Sequence, residues 1–143
     1  SYFRIASTWN FSKMIKTTYY LSKFIKITVP TSYLEGQSDP ETHHYVFAYS
    51  IEIQNTGTET VRLLSRYWHI KDENDKVQEV TGDGVVGQKP VIFPGKAFNY
   101  TSAAIINTEM GTMRGSYIME SPTGVQFSAT IAPFLLSTPH TTH

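Results

Sequence analysis

From Phe24 onward the chain alternates apolar and polar residues with a period of two, between clusters of turn-forming residues. Ile25, Ile27 and Val29 point one way, with Lys26 and Thr28 opposite. A polar loop follows, residues 35–43, containing Gly36 and Asp39-Pro40. Tyr45, Phe47, Tyr49, Ile51 and Ile53 make the longest alternation, ended by Asn55-Thr56-Gly57. Val61 to Lys71 predicts the next strand, with Leu63, Trp68 and Ile70. Glu73-Asn74-Asp75 turns it into Val77 to Val80, so the two read as a hairpin. After Pro94-Gly95, residues 97–106 predict a strand containing Phe98 and Tyr100. Met113, Tyr117 and Met119 mark another. Val125 to Ile131 closes the series, and Pro133 to Leu136 continues it as an edge segment. Seven to eight regularly spaced strands with no helical period predict an all-β sandwich.

One motif interrupts this pattern. Residues 82–87, Gly82-Asp83-Gly84-Val85-Val86-Gly87, spell G-x-G-x-x-G. A dinucleotide fingerprint needs a strand before it and a helix after it, because the helix N-terminus holds the pyrophosphate. Residues 76–81 supply the strand. The eight residues that follow contain Pro90, Pro94, Gly95 and the β-branched pair Val91-Ile92, which do not start a helix. The glycines therefore belong to a loop of a β protein. Two readings stay open. Successive N–H groups with glycines at positive φ can form an anion-binding nest, with Lys89, Arg66 and Arg114 adding charge if the fold brings them near. Alternatively Gly82, Gly84 and Gly87 satisfy turn or bulge geometry alone. Asp83 puts a carboxylate inside the supposed cradle, and the Lys-Ser/Thr pair of a P-loop is missing.

Composition narrows the classes. A chain of 143 residues makes one domain able to bury a core without staples. With no cysteine there is no disulfide framework, thiolate nucleophile or Cys-type zinc site, which fits a reducing compartment, and a cytoplasmic location is expected. No apolar run approaches the roughly 18 residues of a membrane span, so no membrane partner is expected. The formal net charge is zero, but five basic residues and no acid precede Glu35, and seven basic residues face twelve acidic ones from there on. A mildly acidic body argues against nucleic-acid binding. Residues 1–23 form a basic, aromatic, Ser/Thr-rich extension distinct from the domain at 24–143. It reads as a targeting segment, as a leader with Met14 available as a start, or as an extra strand or helix carried by Tyr19, Tyr20, Leu21 and Phe24.

Several long motifs in order carry a family resemblance: SYLEGQSDP (32–40), YVFAYSIEIQN (45–55), LLSRYWHIKD (63–72), QEVTGDGVVGQKPVIFPG (78–95), FNYTS (98–102), GTMRGSYIM (111–119) and APFLLSTP (132–139). From about Ile25 to the end, the chain resembles the ApaG family. The resemblance implies an antiparallel, immunoglobulin/fibronectin III-like β-sandwich, in agreement with the periodicity. It also implies suggested links to cobalt and magnesium resistance and to pyrophosphate or nucleotide binding. The family's eukaryotic occurrences, inside F-box and polymerase-interacting proteins, imply a protein-interaction module. The chain departs from the family at Ala103, at Ala132, and at Leu135, where an arginine is usual. The last departure removes a charge from any anion site that arginine would serve.

The remaining chemistry is thin. Alternation puts Trp68 in the core and Tyr67 and His69 opposite it, which leaves Arg66 on the Trp68 face as a packed arginine or an anion ligand. A strand would point His43 and His44 to opposite faces. His140 and His143 sit in a Thr/Pro tail, and His69 is alone, so neither metal nor cofactor is expected. Ser102, His69 and Asp72 have no nucleophile-elbow context, and Asp72-Glu73 and Asp75 read as a solvated turn, so no catalytic residue is expected. Nineteen aromatic residues exceed the obvious need of one small core. The surplus suggests cross-strand pairs or an exposed patch for a partner. Residues 131–136 are the candidate edge for strand addition, to a protein partner or a second copy, with Pro133 partly guarding it.

Overall fold

A computed structural model describes residues 21–139. Met14, Tyr19, Tyr20, His140 and His143 lie outside the described residues, as do the readings that rest on them. The strands are β1 (Ile25–Thr28), β2 (Thr31–Tyr33), β3 (Tyr45–Asn55), β4 (Val61–Asp72), β5 (Val77–Asp83), β6 (Val91–Ile92), β7 (Ala97–Ile106), β8 (Met110–Glu120) and β9 (Gln126–Ser137). They form two antiparallel sheets. In the first, β1 and β2 follow one another along one side of β3, and β7 pairs along the other. In the second, β5 and β6 share one side of β4, followed by β8 and β9.

The count of nine among the described residues exceeds the expected seven to eight because two edges are broken. Pro30 has no N–H to extend a ladder, so β1 stops before it and only its carbonyl reaches β3, accepting from Ser50 N–H at 3.0 Å. The second edge breaks at the glycine motif, between β5 and β6.

Period-two residues of both sheets meet in one core. Phe47, Tyr49, Ile51 and Ile53 of β3 face Leu63, Trp68, Met113, Tyr117, Met119 and Phe127. Trp68 is 2% exposed and sits edge-on to Tyr49 and Tyr117, with ring centroids 5.3 and 6.2 Å away. Such aromatic pairs add about 0.5–1.5 kcal/mol each beyond burial. Of the aromatic residues described, only Phe93 is exposed. The aromatic load therefore fills the core rather than covering the surface. Leu21 is also buried in this core, so the packed domain includes a residue of the stretch set apart as an extension.

Two β-bulges change the inward parity. The β4–β8 register shifts between Leu63 and Ser65, so Val61 and Leu63 point inward before it and Trp68 and Ile70 after it. In β9 the inward set passes from Phe127, Ala129 and Ile131 to Phe134 and Leu136, with Ala132-Pro133 as the irregularity. Pro133 thus sits where its missing N–H costs no ladder bond.

Candidate functional site

The glycine motif is a strand end followed by a tight hairpin. Gly82 and Asp83 complete β5, paired with Arg66 and Ser65. Gly84 N–H donates to Leu64 O at 2.8 Å, anchoring the loop at the β4 bulge. Val85 and Gln88 then exchange both backbone hydrogen bonds, at 2.8 and 2.9 Å. The two residues between them, Val86 and Gly87, have φ of 43° and 77°, the positive pair that a type I′ turn requires. Val85 is fully buried and pins the loop to the core. Gly84, at φ 62°, admits no other residue, since an added Cβ would overlap the Gln88 carbonyl oxygen.

This geometry bears on the anion nest. The amides of Gly84, Val85 and Gln88 are already bonded inside the fold, which leaves the exposed tip at Val86 and Gly87. Arg66 lies against Gly82, and its Nη1 donates to Asp83 O at 3.0 Å and Gly84 O at 2.9 Å. One guanidinium nitrogen thus braces the loop's carbonyls. Lys89 follows the hairpin, exposed, with its Cγ near Gly84 and its carbonyl accepting from Arg62 Nε at 3.3 Å. Arg114 is paired with His69 and projects from the outer face of the second sheet, whereas Arg66 is on the inner, Trp68 face. Arg66 and Lys89 therefore meet the loop and Arg114 does not converge with them. The physical reason is strand alternation: Met113, Gly115 and Tyr117 are buried, so Arg114 between them points out.

Behind Arg66, the phenols of Tyr100 and Tyr117 share a hydrogen bond. Burial pushes Tyr100 up to about 12 and raises Tyr117 still further; the nearby Arg66 charge opposes both shifts.

The other candidates separate. Ser102 stands opposite Tyr49 in the first sheet, while His69 projects from the outer face of the second. Asp72 is buried rather than solvated, and its Oδ1 accepts from the N–H groups of Asn74 at 2.8 Å and Lys76 at 3.0 Å. It holds the β4–β5 turn. His43 is exposed at φ 55°, and His44 bridges Asp39. Among the described residues, no three His, Asp or Glu groups converge on a point.

One feature of the surface was not anticipated. Val77, Val80, Val86, Val91 and Phe93 are exposed along the β5–loop–β6 edge. Ile105 of β7 is exposed beside it, with Gln78 Nε2 donating to its carbonyl at 2.9 Å. The remaining exposed large hydrophobic among the described residues is Leu135 on β9, across the sandwich. The β9 edge is guarded further, since Thr31 Oγ1 of β2 donates to Leu135 O at 3.4 Å. Among the described residues, no helix is long and apolar enough to cross a membrane.

Known proteins share this chain's sequence and shape. The family model described as the ApaG domain matches residues 35–121. Protein ApaG of Azoarcus sp. (strain BH72) is 50% identical over 119 residues, covering 83% of this chain and 94% of the relative. Protein ApaG of Pseudomonas entomophila (strain L48) is 49% identical with the same coverage. A crystal structure described as an ApaA protein from Bordetella pertussis matches with a TM-score of 0.80 and 45% identity, covering 82% of this chain and 95% of that one.

Proposed function

Because the chain belongs to the ApaG family, we propose that it works as a non-catalytic binding module that recognises a protein partner. The observation that carries this reading is the concentration of exposed apolar residues along the β5–hairpin–β6 edge. Six exposed large hydrophobics line β5, the hairpin, β6 and the adjoining end of β7, with Phe93 60% exposed. Scattered single apolar residues are ordinary on a surface; the gathering of six of the seven exposed large hydrophobics of the described residues at one edge of the fold favours a recognition surface. β5 and β7 each pair on one side only, so backbone N–H and C=O groups are available beside the apolar row. This moves the expected docking edge from residues 131–136 to β5–β6. The oligomeric state in solution distinguishes a second copy of the chain from another protein as the occupant. Under this reading the suggested link to cobalt and magnesium resistance runs through a partner and does not require metal held by this chain. The cytoplasm remains the expected location.

The alternative, a pyrophosphate or nucleotide site on Gly82–Gly87, has less support. Lys89 favours it, while the engaged amides, the braced Arg66 and the Asp83 carboxylate oppose it.

The test is differential capture. Tagged wild type, the Val91→Thr/Phe93→Ser double variant and Leu135→Ser are compared for the proteins they retain from the source cell. The proposal expects one set of proteins lost with the double variant and kept with Leu135→Ser. Identical retention by all three would remove it.

A further inference from the structure

A second site lies at another part of the molecule. Between the β2–β3 connection, the β7–β8 turn and the end of β9 is a cavity of about 380 Å³, lined by Tyr33, Tyr45, Glu35, Glu109, Pro40 and Pro139. We propose that this cavity binds an organic cation, an alkylammonium head held between tyrosine faces and the Glu35 and Glu109 carboxylates.

The fold brings these residues together from distant segments. Tyr33 pairs with Phe47 across β2–β3, and its ring lies 5.4 Å from Phe47 and 6.4 Å from Tyr45. Phe47 is buried in the core, so it supports the Tyr33 ring from behind. Glu35 opens the short helical turn Glu35–Gln37 after β2. Glu109 lies in the β7–β8 turn, where its carbonyl accepts from Thr138 N–H at 3.1 Å, tying the turn to the end of β9.

Three observations select the ligand class. The size falls within the range of small-ligand pockets, about 300–1,000 Å³. Among the described residues, the charged groups of the lining are the Glu35 and Glu109 carboxylates, and neither is in an ion pair. Two carboxylates repel phosphates and other anions and attract a cation. Aromatic walls with two carboxylates do not make the oxygen-rich shell of a bare divalent ion, and no three-ligand cluster is present among the described residues. A tyrosine face attracts a soft organic cation through its quadrupole, and a carboxylate completes its charge. The negative surroundings are already felt by Tyr45, whose phenol is raised by burial and by Glu109, Tyr33 and Glu73.

The ligand is a free alkylammonium or the side chain of a lysine presented by a peptide. The site does not depend on the reading of the β5–β6 edge. The experiment is an amide NMR titration of the isotope-labelled full chain with choline, with Nα-acetyl-lysine methylamide, and with dimethylbutanol, the neutral carbon isostere of choline. The proposal expects saturable shifts at Glu35, Tyr45 and Glu109 with at least one cation and none with the isostere. Glu35→Gln and Glu109→Gln, both exposed positions that leave the core untouched, each weaken the binding about fivefold. Choline alone points to a free cation, and the lysine amide alone to a peptide side chain. No saturable shift with either cation, equal binding of the isostere, or binding unchanged in both variants overturns the proposal.

Discussion

Arg66 Nη1 donates to Gly84 O at 2.9 Å, joining the inner face of β4 to the one residue of the hairpin that must be glycine. The brace also reaches Asp83 O. Arg66→Ala leaves two carbonyls without their charged donor and should cost about 1–3 kcal/mol. Urea unfolding measures the cost, and amide exchange should speed up at Val85 and Gln88. Arg66→Lys restores a charge without the planar fork and should recover only part of the loss.

The three special backbone positions of the hairpin should rank clearly. Gly84→Ala combines a positive φ with a direct overlap on the Gln88 carbonyl and should cost about 3 kcal/mol or more. Gly87→Ala has open space around it and carries only the conformational cost, about 1–2 kcal/mol. Val86→Asn should stabilise by up to about 1 kcal/mol, because a β-branched residue at φ 43° is strained and asparagine suits the first I′ position. Thermal midpoints of the three variants check the order.

The buried phenol pair predicts alkaline sensitivity. Tyr100 is raised to about 12 and Tyr117 is raised further, both first by burial. The folded state therefore holds protons that the unfolded chain releases from its ordinary tyrosine value, about 10. The pair's contribution to stability is complete below about pH 10 and is lost as pH rises towards 12. Urea midpoints measured across this range should fall as pH rises, and the fall should be shallower in Tyr117→Phe than in the wild type.

Magnesium pyrophosphate, followed by ATP, should leave the amides of residues 82–89 without saturable shifts. Only the exposed tip at Val86 and Gly87 and the Lys89 side chain remain to meet an anion. An NMR titration carried to millimolar ligand reads this directly. Saturable shifts confined to these residues would favour the phosphate reading.

Much of the sandwich was legible because burial repeats along each strand. Residues 47–53 alternate in burial, and that strand pairs on both sides along almost its whole length. The bulges left a trace that simple alternation passes over. Leu63 and Trp68 are five apart, so both can face inward only if the strand gains a residue between them; Ile131 and Leu136 repeat the pattern. The outward direction of Arg114 was equally readable from Met113 and Tyr117. The brace from Arg66 to two backbone carbonyls was not, since no residue type marks it. The apolar edge and the Tyr33–Glu109 cavity depend on which strands end up at edges and ends, a long-range property that local pattern does not carry.

Recognition of a protein through the β5–β6 edge has a direct readout in the cell. Photo-cross-linking tests it most directly, with a benzoylphenylalanine placed at Phe93 in one chain and at Leu135 in another, each expressed in the source cell. A partner seated on this edge gives a discrete protein adduct from position 93 and none from position 135. Adducts from position 135 alone, or none from position 93 in a folded chain, would contradict it.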